Sequence, residues 1–383
     1  MISVTPLTRR APLYGRDRAL SPVRRLVDAA RSGSGGALIV TGAPGMGRTA
    51  LLDRARAEAH DLTVLHARAT PSEQDVPLAG LHQLLTPVLE HLWRLAPARR
   101  AVLAQALETG VSTGPLPLAN AVLGLLTVVA EQGPLMVCVD DLHLLDPPSL
   151  EATAFVARRL PRRGVAALFS APRGQADRLA GVPSLSLGPL DRADLVHLLT
   201  ASADLAPSVA TELADRAEGN PGAALEALAA AVPAQRTGAI ALDRPPRTRG
   251  DLTDRYARAV ATLPDPVRLA LLRVCAEPRY RPTGDLEPAR RAGLVTEVGG
   301  AIVPAHPLVR SACYHGASPA ERSAAHLDLA PEHDADRAAW HRALAVHAPD
   351  ERAAADLQAA ALRAVDRHGH RLAALLHEHA ARL

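Results

Sequence analysis

Gly42-Ala43-Pro44-Gly45-Met46-Gly47-Arg48-Thr49 is the stretch on which the reading of this chain turns. It follows a short apolar run, Ala37-Leu38-Ile39-Val40-Thr41, and precedes a helix-like stretch over 49–60. Its glycines let consecutive backbone N–H groups curl around an anion, and the helix N-terminus behind them adds a favourable dipole. The eight residues fit the frame GxxxxGK(S/T) of a phosphate-binding loop, Walker A, except that Arg48 stands where lysine is expected. The expected cradle is Gly42, Ala43, Pro44, Gly45, Met46, Gly47, Arg48, Thr49 and Ala50, with the Thr49 hydroxyl on Mg²⁺. A plain glycine-rich turn is the bland alternative. The strand before the loop and the helix after it argue against that.

Outward from the loop, further uninterrupted apolar runs lie at 63–67, Leu135 to Asp140 and Val165 to Ser170, with a weaker one at 184–187. Runs of this length suit strands buried on both faces of a parallel sheet. Helix-like stretches separate them, including 49–60, 116–132 and 148–160. This alternation predicts a three-layer α/β domain over 1–188. After Pro189 strand signals nearly stop, and helices are expected over 191–202, 207–217 and 222–231. Residues 232–250 read as a linker rich in Pro, Gly and Arg. Helices resume at 252–262 and 265–275, and a hairpin is expected from Thr296 to Val303, turned by Gly299-Gly300. Helices followed by a hairpin outline a winged helix. Ser318 to Leu383 reads as Ala-rich amphipathic helix, the start of a helical-repeat region too short to fix a period.

The run Leu135-Met136-Val137-Cys138-Val139-Asp140-Asp141 has the form of a Walker B strand. A carboxylate ending an apolar strand near a phosphate loop suits Asp140 to hold Mg²⁺. Asp141 is then the candidate to orient or deprotonate an attacking water. Alone, the pattern is equally a strand ending in an acidic turn. Paired in this order with the loop at 42–49, it is much more specific.

Composition narrows the remaining classes. The 383 residues suffice for two or three domains, and 48% hydrophobic content fits a folded chain. Aromatics are 2%, so cores are expected to be Leu, Val and Ala. The chain has no lysine, and its 43 basic residues, all arginine, nearly balance 40 acidic ones. That interspersed balance gives little support for nucleic-acid binding. Cys138, Cys275 and Cys313 are far apart and lack CxxC spacing, which argues against a disulfide framework or a cysteine zinc site and fits a reducing cytoplasm. No signal peptide is apparent at the N-terminus. The apolar stretch Leu116 to Ala130 contains Asn120 and is short for a membrane span, so a buried helix is expected.

With these motifs in place, the chain resembles the N-terminal NTPase portion of the large LuxR-family bacterial transcriptional regulators, members of the STAND class of signalling ATPases. Tyr14-Gly15-Arg16-Asp17 resembles that family's opening box, which implies that Gly15 and Arg16 lie near the adenine. Asp140 to Asp146 resembles the extended Walker B segment, although Leu144 stands where an aromatic is usual. Arg173, after Ala171-Pro172, takes the place of the sensor arginine, and Gly219-Asn220-Pro221 matches the lid motif whose proline touches the base. His306 to Ser311 and Ser318 to Arg322 look like the winged-helix exit and first repeat helix. The resemblance implies a P-loop NTPase core over 1–188, a helical lid over 189–235, a winged helix over 236–315 and repeat-like helices over 316–383.

It also implies an ATP- and Mg²⁺-dependent cytoplasmic switch linked to transcriptional regulation, with a protein partner or a second copy as the expected associate. Two departures qualify this. No helix-turn-helix pattern occurs in 316–383, so sequence-specific DNA binding is not expected of this chain, nor is membrane association. Arg48 is longer and more planar than lysine, which predicts slow or absent hydrolysis. A catalytically dead pseudo-ATPase scaffold and a truncated regulator are the alternatives. Of weaker signals, the 16 histidines, dense at His368, His370, His377 and His379, read as solvated helix surface instead of a metal site. Trp93 and Trp340 are expected to pack cores, and Arg9-Arg10, Arg158-Arg159 and Arg162-Arg163 to lie at the surface.

Overall fold

A computed structural model describes residues 13–160, 163–243, 245–277, 280–282 and 284–383. Arg9, Arg10 and Arg162 of the basic pairs lie outside the described residues. The chain divides into two compact units, Met1–Asp194 and Leu195–Leu383.

The first unit runs α1 (Asp17–Arg31), β1 (Gly35–Gly42), α2 (Arg48–Glu58), β2 (Thr63–Arg68), α3 (Ala79–Leu85), α4 (Pro97–Thr109) and α5 (Pro115–Ala130). It continues through β3 (Leu135–Asp140), α6 (Pro147–Ala157), β4 (Val165–Pro172) and β5 (Ser184–Leu187). The strands form one parallel sheet in the order β2-β3-β4-β1-β5. Every residue of β3 is buried, as are Leu38 to Gly42 of β1 and Val165 to Ala171 of β4. Alternation along the strands divides this burial between two cores. Ile39, Val137, Val139, Ala167 and Phe169 face one core with residues of α3, α5 and α6. Leu38, Val40, Met136, Cys138, Ala166 and Leu168 face the other with α1 and α2. The three-layer α/β arrangement expected from the apolar runs is therefore present. The stretch read as a buried helix is α5, with nine buried residues.

α1, α3 and α4 lie outside the helix-like stretches that stand out in the sequence. The start of α3 depends on distant partners: Leu78 adopts φ +65°, and its N–H donates to Asp146 Oδ1 at 2.8 Å. Gly80 N–H donates to Asp146 Oδ2 at 3.1 Å and Leu81 N–H to Ser149 Oγ at 3.0 Å. No local residue announces that start. Trp93 corrects another expectation: its side chain packs no core and is 71% exposed, on a 3₁₀ turn over Thr86–Arg94.

In the second unit, α7 (Arg192–Ser202), which begins just before the division, is followed by α8 (Pro207–Arg216), α9 (Pro221–Ala230) and the short α10 (Pro233–Arg236). Then come α11 (Asp251–Ala261), α12 (Asp265–Ala276), α13 (Glu287–Arg291), β6 (Val295–Val298), β7 (Ala301–Pro304) and α14 (Pro307–Gly316), in the order of a winged helix. Val298 pairs with Ala301, so Gly299 and Gly300 form a two-residue turn, and both have positive φ, 58° and 76°. A turn of that hand demands glycine-like backbones. The unit ends in α15 (Pro319–Leu329), α16 (Ala335–Ala345), α17 (Glu351–Asp366) and α18 (His370–Ala380). Ser318 and Glu321 close a capping box on α15 (Glu321 N to Ser318 Oγ 3.2 Å; Ser318 N to Glu321 Oε2 2.8 Å). Ala343, Leu357, Ala361 and Leu376 form a small core here, against which Trp340 is only partly buried. No helix among the described residues is long and apolar enough to cross a membrane.

Candidate nucleotide site

Strand order places the site. β4 lies between β1 and β3, and β1 has β5 on its other side, so the carboxyl ends of β1, β4 and β3 open where successive connections leave in opposite directions. Such a switch point is where an open α/β sheet leaves a crevice. Gly42 ends β1, and Arg48 begins α2. Between them Gly45 and Gly47 take φ +78° and +87°, which a side chain would strain. Gly47 is also the residue before α2, so the first-turn N–H groups of that helix follow directly on the loop.

Arg16 fixes the back of this loop. Its guanidinium donates from Nη1 to the Gly188 carbonyl at 2.8 Å and from Nη2 to the Met46 carbonyl at 3.0 Å. It is 8% exposed, and burial pushes its pKa down, opposed by the nearby Asp194 carboxylate. Gly15 is pressed against the same carboxylate: a β-carbon there would sit 2.2 Å from Asp194 Oδ2, and its φ is +62°. In this arrangement the opening box acts on the loop's shape, a role the sequence reading did not assign.

Asp140 is the hub. Thr49 Oγ1 donates to its Oδ2 at 2.8 Å, bringing together the two expected Mg²⁺ ligands, one from the first turn of α2 and one from the end of β3. Ser170 Oγ donates to Asp140 Oδ1, and Asp141 N–H donates to Ser170 Oγ at 2.9 Å and to Asp140 Oδ1 at 3.1 Å. Val139 pairs with Phe169, so Ser170 stands level with Asp140 on the intervening strand. Ser170 went unnoticed in the sequence because it reads as the end of an apolar run. Arg68, level with Asp140 on β2, approaches to 4.0 Å but is largely exposed.

Asp141 adopts φ +50° and turns its carboxylate to Arg48, Oδ1 to Nη2 3.2 Å, with His143 Nδ1 at 4.0 Å. The other terminal nitrogen of Arg48, Nη1, is buried without a hydrogen-bond partner. A buried orphan donor costs about 1–3 kcal/mol, and a phosphate oxygen would satisfy it. With the glycine turn and the Thr49–Asp140 pair, these residues fit a nucleoside triphosphate with Mg²⁺. Arg173 lies exposed in the loop after β4. Pro221 is the first residue of α9 and belongs to the second unit.

The parallel sheet and the loop at its β1–α2 junction together define the P-loop NTPase fold. Residues 12–170 match the family model described as the AAA ATPase domain. Among solved structures, a Walker-type ATPase of Pyrococcus abyssi is similar at 14% identity and a TM-score of 0.49, over 81% of this chain and 98% of that one. A Signal Transduction ATPase with Numerous Domains, with a tetratricopeptide repeat sensor, from Pyrococcus horikoshii is similar at 16% identity and a TM-score of 0.38. That similarity covers 93% of this chain and 57% of the other. The Orc1 protein of Aeropyrum pernix, in complex with DNA, is similar at 17% identity and a TM-score of 0.39, over 79% and 93% of the two chains. No curated protein matches.

Proposed function

We propose that the chain is an ATP-binding STAND-type switch linked to transcriptional regulation, in which nucleotide occupancy, not rapid turnover, carries the signal. The observation that carries this reading is the arrangement of Arg48: one terminal nitrogen pairs with Asp141 and the other is a buried donor without a partner. Thr49 and Asp140 would hold Mg²⁺, which neutralises charge on the bound phosphates. Backbone N–H groups of the loop supply most phosphate contacts in such a cradle, and arginine deletes none of them, so binding survives the substitution. Hydrolysis needs more. The cation must follow charge developing on the transferred group, and Asp141 must be free to act on water. Here the two groups hold each other.

A protein partner or a second copy would read the nucleotide state, and the chain itself would not discriminate operator from random duplex DNA. The link to transcription rests on the resemblance of Tyr14–Asp17, Asp140–Asp146 and Gly219–Pro221 to LuxR-family regulators. The test is ATP affinity by calorimetry with and without Mg²⁺, alongside steady-state phosphate release. Saturable, Mg²⁺-enhanced binding with turnover far below one per minute is expected. No binding would leave only a scaffold, and brisk hydrolysis would remove the occupancy mechanism.

A further inference from the structure

Among the described residues, one cluster of potential metal ligands lies away from the phosphate loop, in the second unit. Glu277 directly follows α12, His333 precedes α16 and His341 lies within it. One donor atom from each can be chosen so that all lie within 4.8 Å of one another. Glu277 and His341 are buried, at 2% and 1% exposure. His341 Nε2 stands 3.3 Å from Glu277 Oε2. Two ligands each about 2.0–2.1 Å from a tetrahedral zinc lie roughly 3.3 Å apart, so this pair already has the edge length of such a site. The His333 ring stacks on His341, centroids 5.3 Å apart, and its Nε2 is buried without a hydrogen-bond partner.

The surroundings supply what ligands of a metal need behind them. The other ring nitrogen of His341, Nδ1, lies 2.9 Å from His326 Nδ1, and His326 Nε2 lies 2.7 Å from the Tyr314 hydroxyl. A bonded second nitrogen fixes the orientation of a ligating imidazole. Arg337 donates to both oxygens of Glu277, at 2.6 Å each. That fork holds the carboxylate in a fixed orientation towards His341. Glu277 and Arg337 also line a cavity of about 1140 Å³.

We infer that Glu277, His333 and His341 form a zinc site with two imidazoles, one carboxylate and a remaining position for water. Two nitrogen donors and one oxygen are a set that zinc accepts readily. The ion would tie the end of α12 to α16, joining the winged-helix-like segment to the first repeat-like helices within the second unit. A metal-free stack of histidines against an ion pair is the competing account, and it leaves His333 Nε2 unsatisfied.

The experiment uses the full chain, stripped with chelator and dialysed into excess Mg²⁺. Zn²⁺ is titrated against a chromogenic chelator, and Co²⁺ is used as a visible probe. One tight equivalent of Zn²⁺ is expected, with Co²⁺ absorption of tetrahedral intensity and no thiolate band. His333→Ala, at a half-buried position, should weaken Zn²⁺ at least tenfold and abolish the Co²⁺ spectrum with circular dichroism unchanged. His341→Gln should do the same if it folds. Equal Zn²⁺ affinity and Co²⁺ spectra in wild type and His333→Ala would overturn the inference, as would the absence of a stoichiometric site in wild type.

Discussion

Arg48 Nη2 lies 3.2 Å from Asp141 Oδ1, so the cation of the phosphate loop and the acidic residue that directly follows β3 hold each other. The side chains are 12% and 23% exposed, which shields the pair from water and salt without burying it fully. Lysine at position 48 is shorter and carries a compact charge in place of the planar guanidinium, so it does not reproduce this contact. Arg48→Lys should therefore raise kcat by roughly ten- to a hundredfold, since misplacement of about 1 Å costs about 10² in rate. Asp141→Asn should release Arg48 and tighten ATP several-fold without raising turnover. Single-turnover phosphate release and calorimetry separate the two effects, and an inert lysine variant that still binds ATP would move the defect elsewhere.

Asp140 is 1% exposed and accepts from Thr49, Ser170 and the Asp141 N–H. Its removal is therefore more than the loss of a metal ligand. Asp140→Ala should cost about 1–3 kcal/mol of stability, because buried donors lose their acceptor. Asp140→Asn keeps an acceptor oxygen and the size, and should fold normally. Its ATP affinity should no longer respond to Mg²⁺. Unchanged Mg²⁺ dependence in the asparagine variant would remove Asp140 from the metal.

Arg16 joins Met46 and Gly188 through two nitrogens of one planar group. Lysine can reach one carbonyl but not both in that geometry. Arg16→Lys should weaken ATP by tenfold or more while leaving the Mg²⁺ dependence of binding intact, the opposite pattern from Asp140→Asn. Calorimetry of both variants under the same conditions reads the contrast, and wild-type affinity in Arg16→Lys would end the positioning role.

Asp146 caps α6 through Ser149 N–H at 3.0 Å and also accepts from Leu78 and Gly80. It is 1% exposed. Losing the cap and two buried acceptor contacts should cost about 2–4 kcal/mol in Asp146→Ala. Urea denaturation should show a lower midpoint with an unchanged slope. A shift below 1 kcal/mol would mean that the surrounding backbone finds other partners.

Glu58 supplies a pH dependence with a defined sign. The Arg24 guanidinium, bonded through both oxygens, and then Arg54 hold its carboxyl down to about 2, against a usual 4.5, despite partial burial. The stabilisation is full above about pH 4.5 and is lost as pH falls towards about 2. Glu58→Gln should accordingly be less stable than wild type at neutral pH, with the two converging near pH 2. High salt should narrow the neutral-pH gap, because Arg24 is 46% exposed. Parallel melting curves across that range check it.

Local chemistry made much of this legible. The run Leu38–Thr41 followed by Gly42–Thr49 fixes a buried strand, a turn that only glycine tolerates at positions 45 and 47, and a helix start, all within a dozen residues. Asp140 and Asp141 were readable because they end an apolar strand that follows a phosphate loop in the expected order, and Gly299-Gly300 because a two-residue turn needs positive φ twice. Tertiary structure decided what depends on contacts across long sequence distances. Ser170 faces Asp140 only because β4 inserts between β1 and β3, and α3 starts where it does only because Asp146, 68 residues from Leu78, accepts its first N–H groups. Arg48 could be read as a departure from lysine, but not as the partner of Asp141. The burial of His341 against Glu277, 64 residues apart, left no mark in the sequence, where the histidines that stood out were His368, His370, His377 and His379. A pattern along the chain records which residues prefer burial or a turn, whereas the pairing of polar groups that must satisfy each other is set by where the fold brings them.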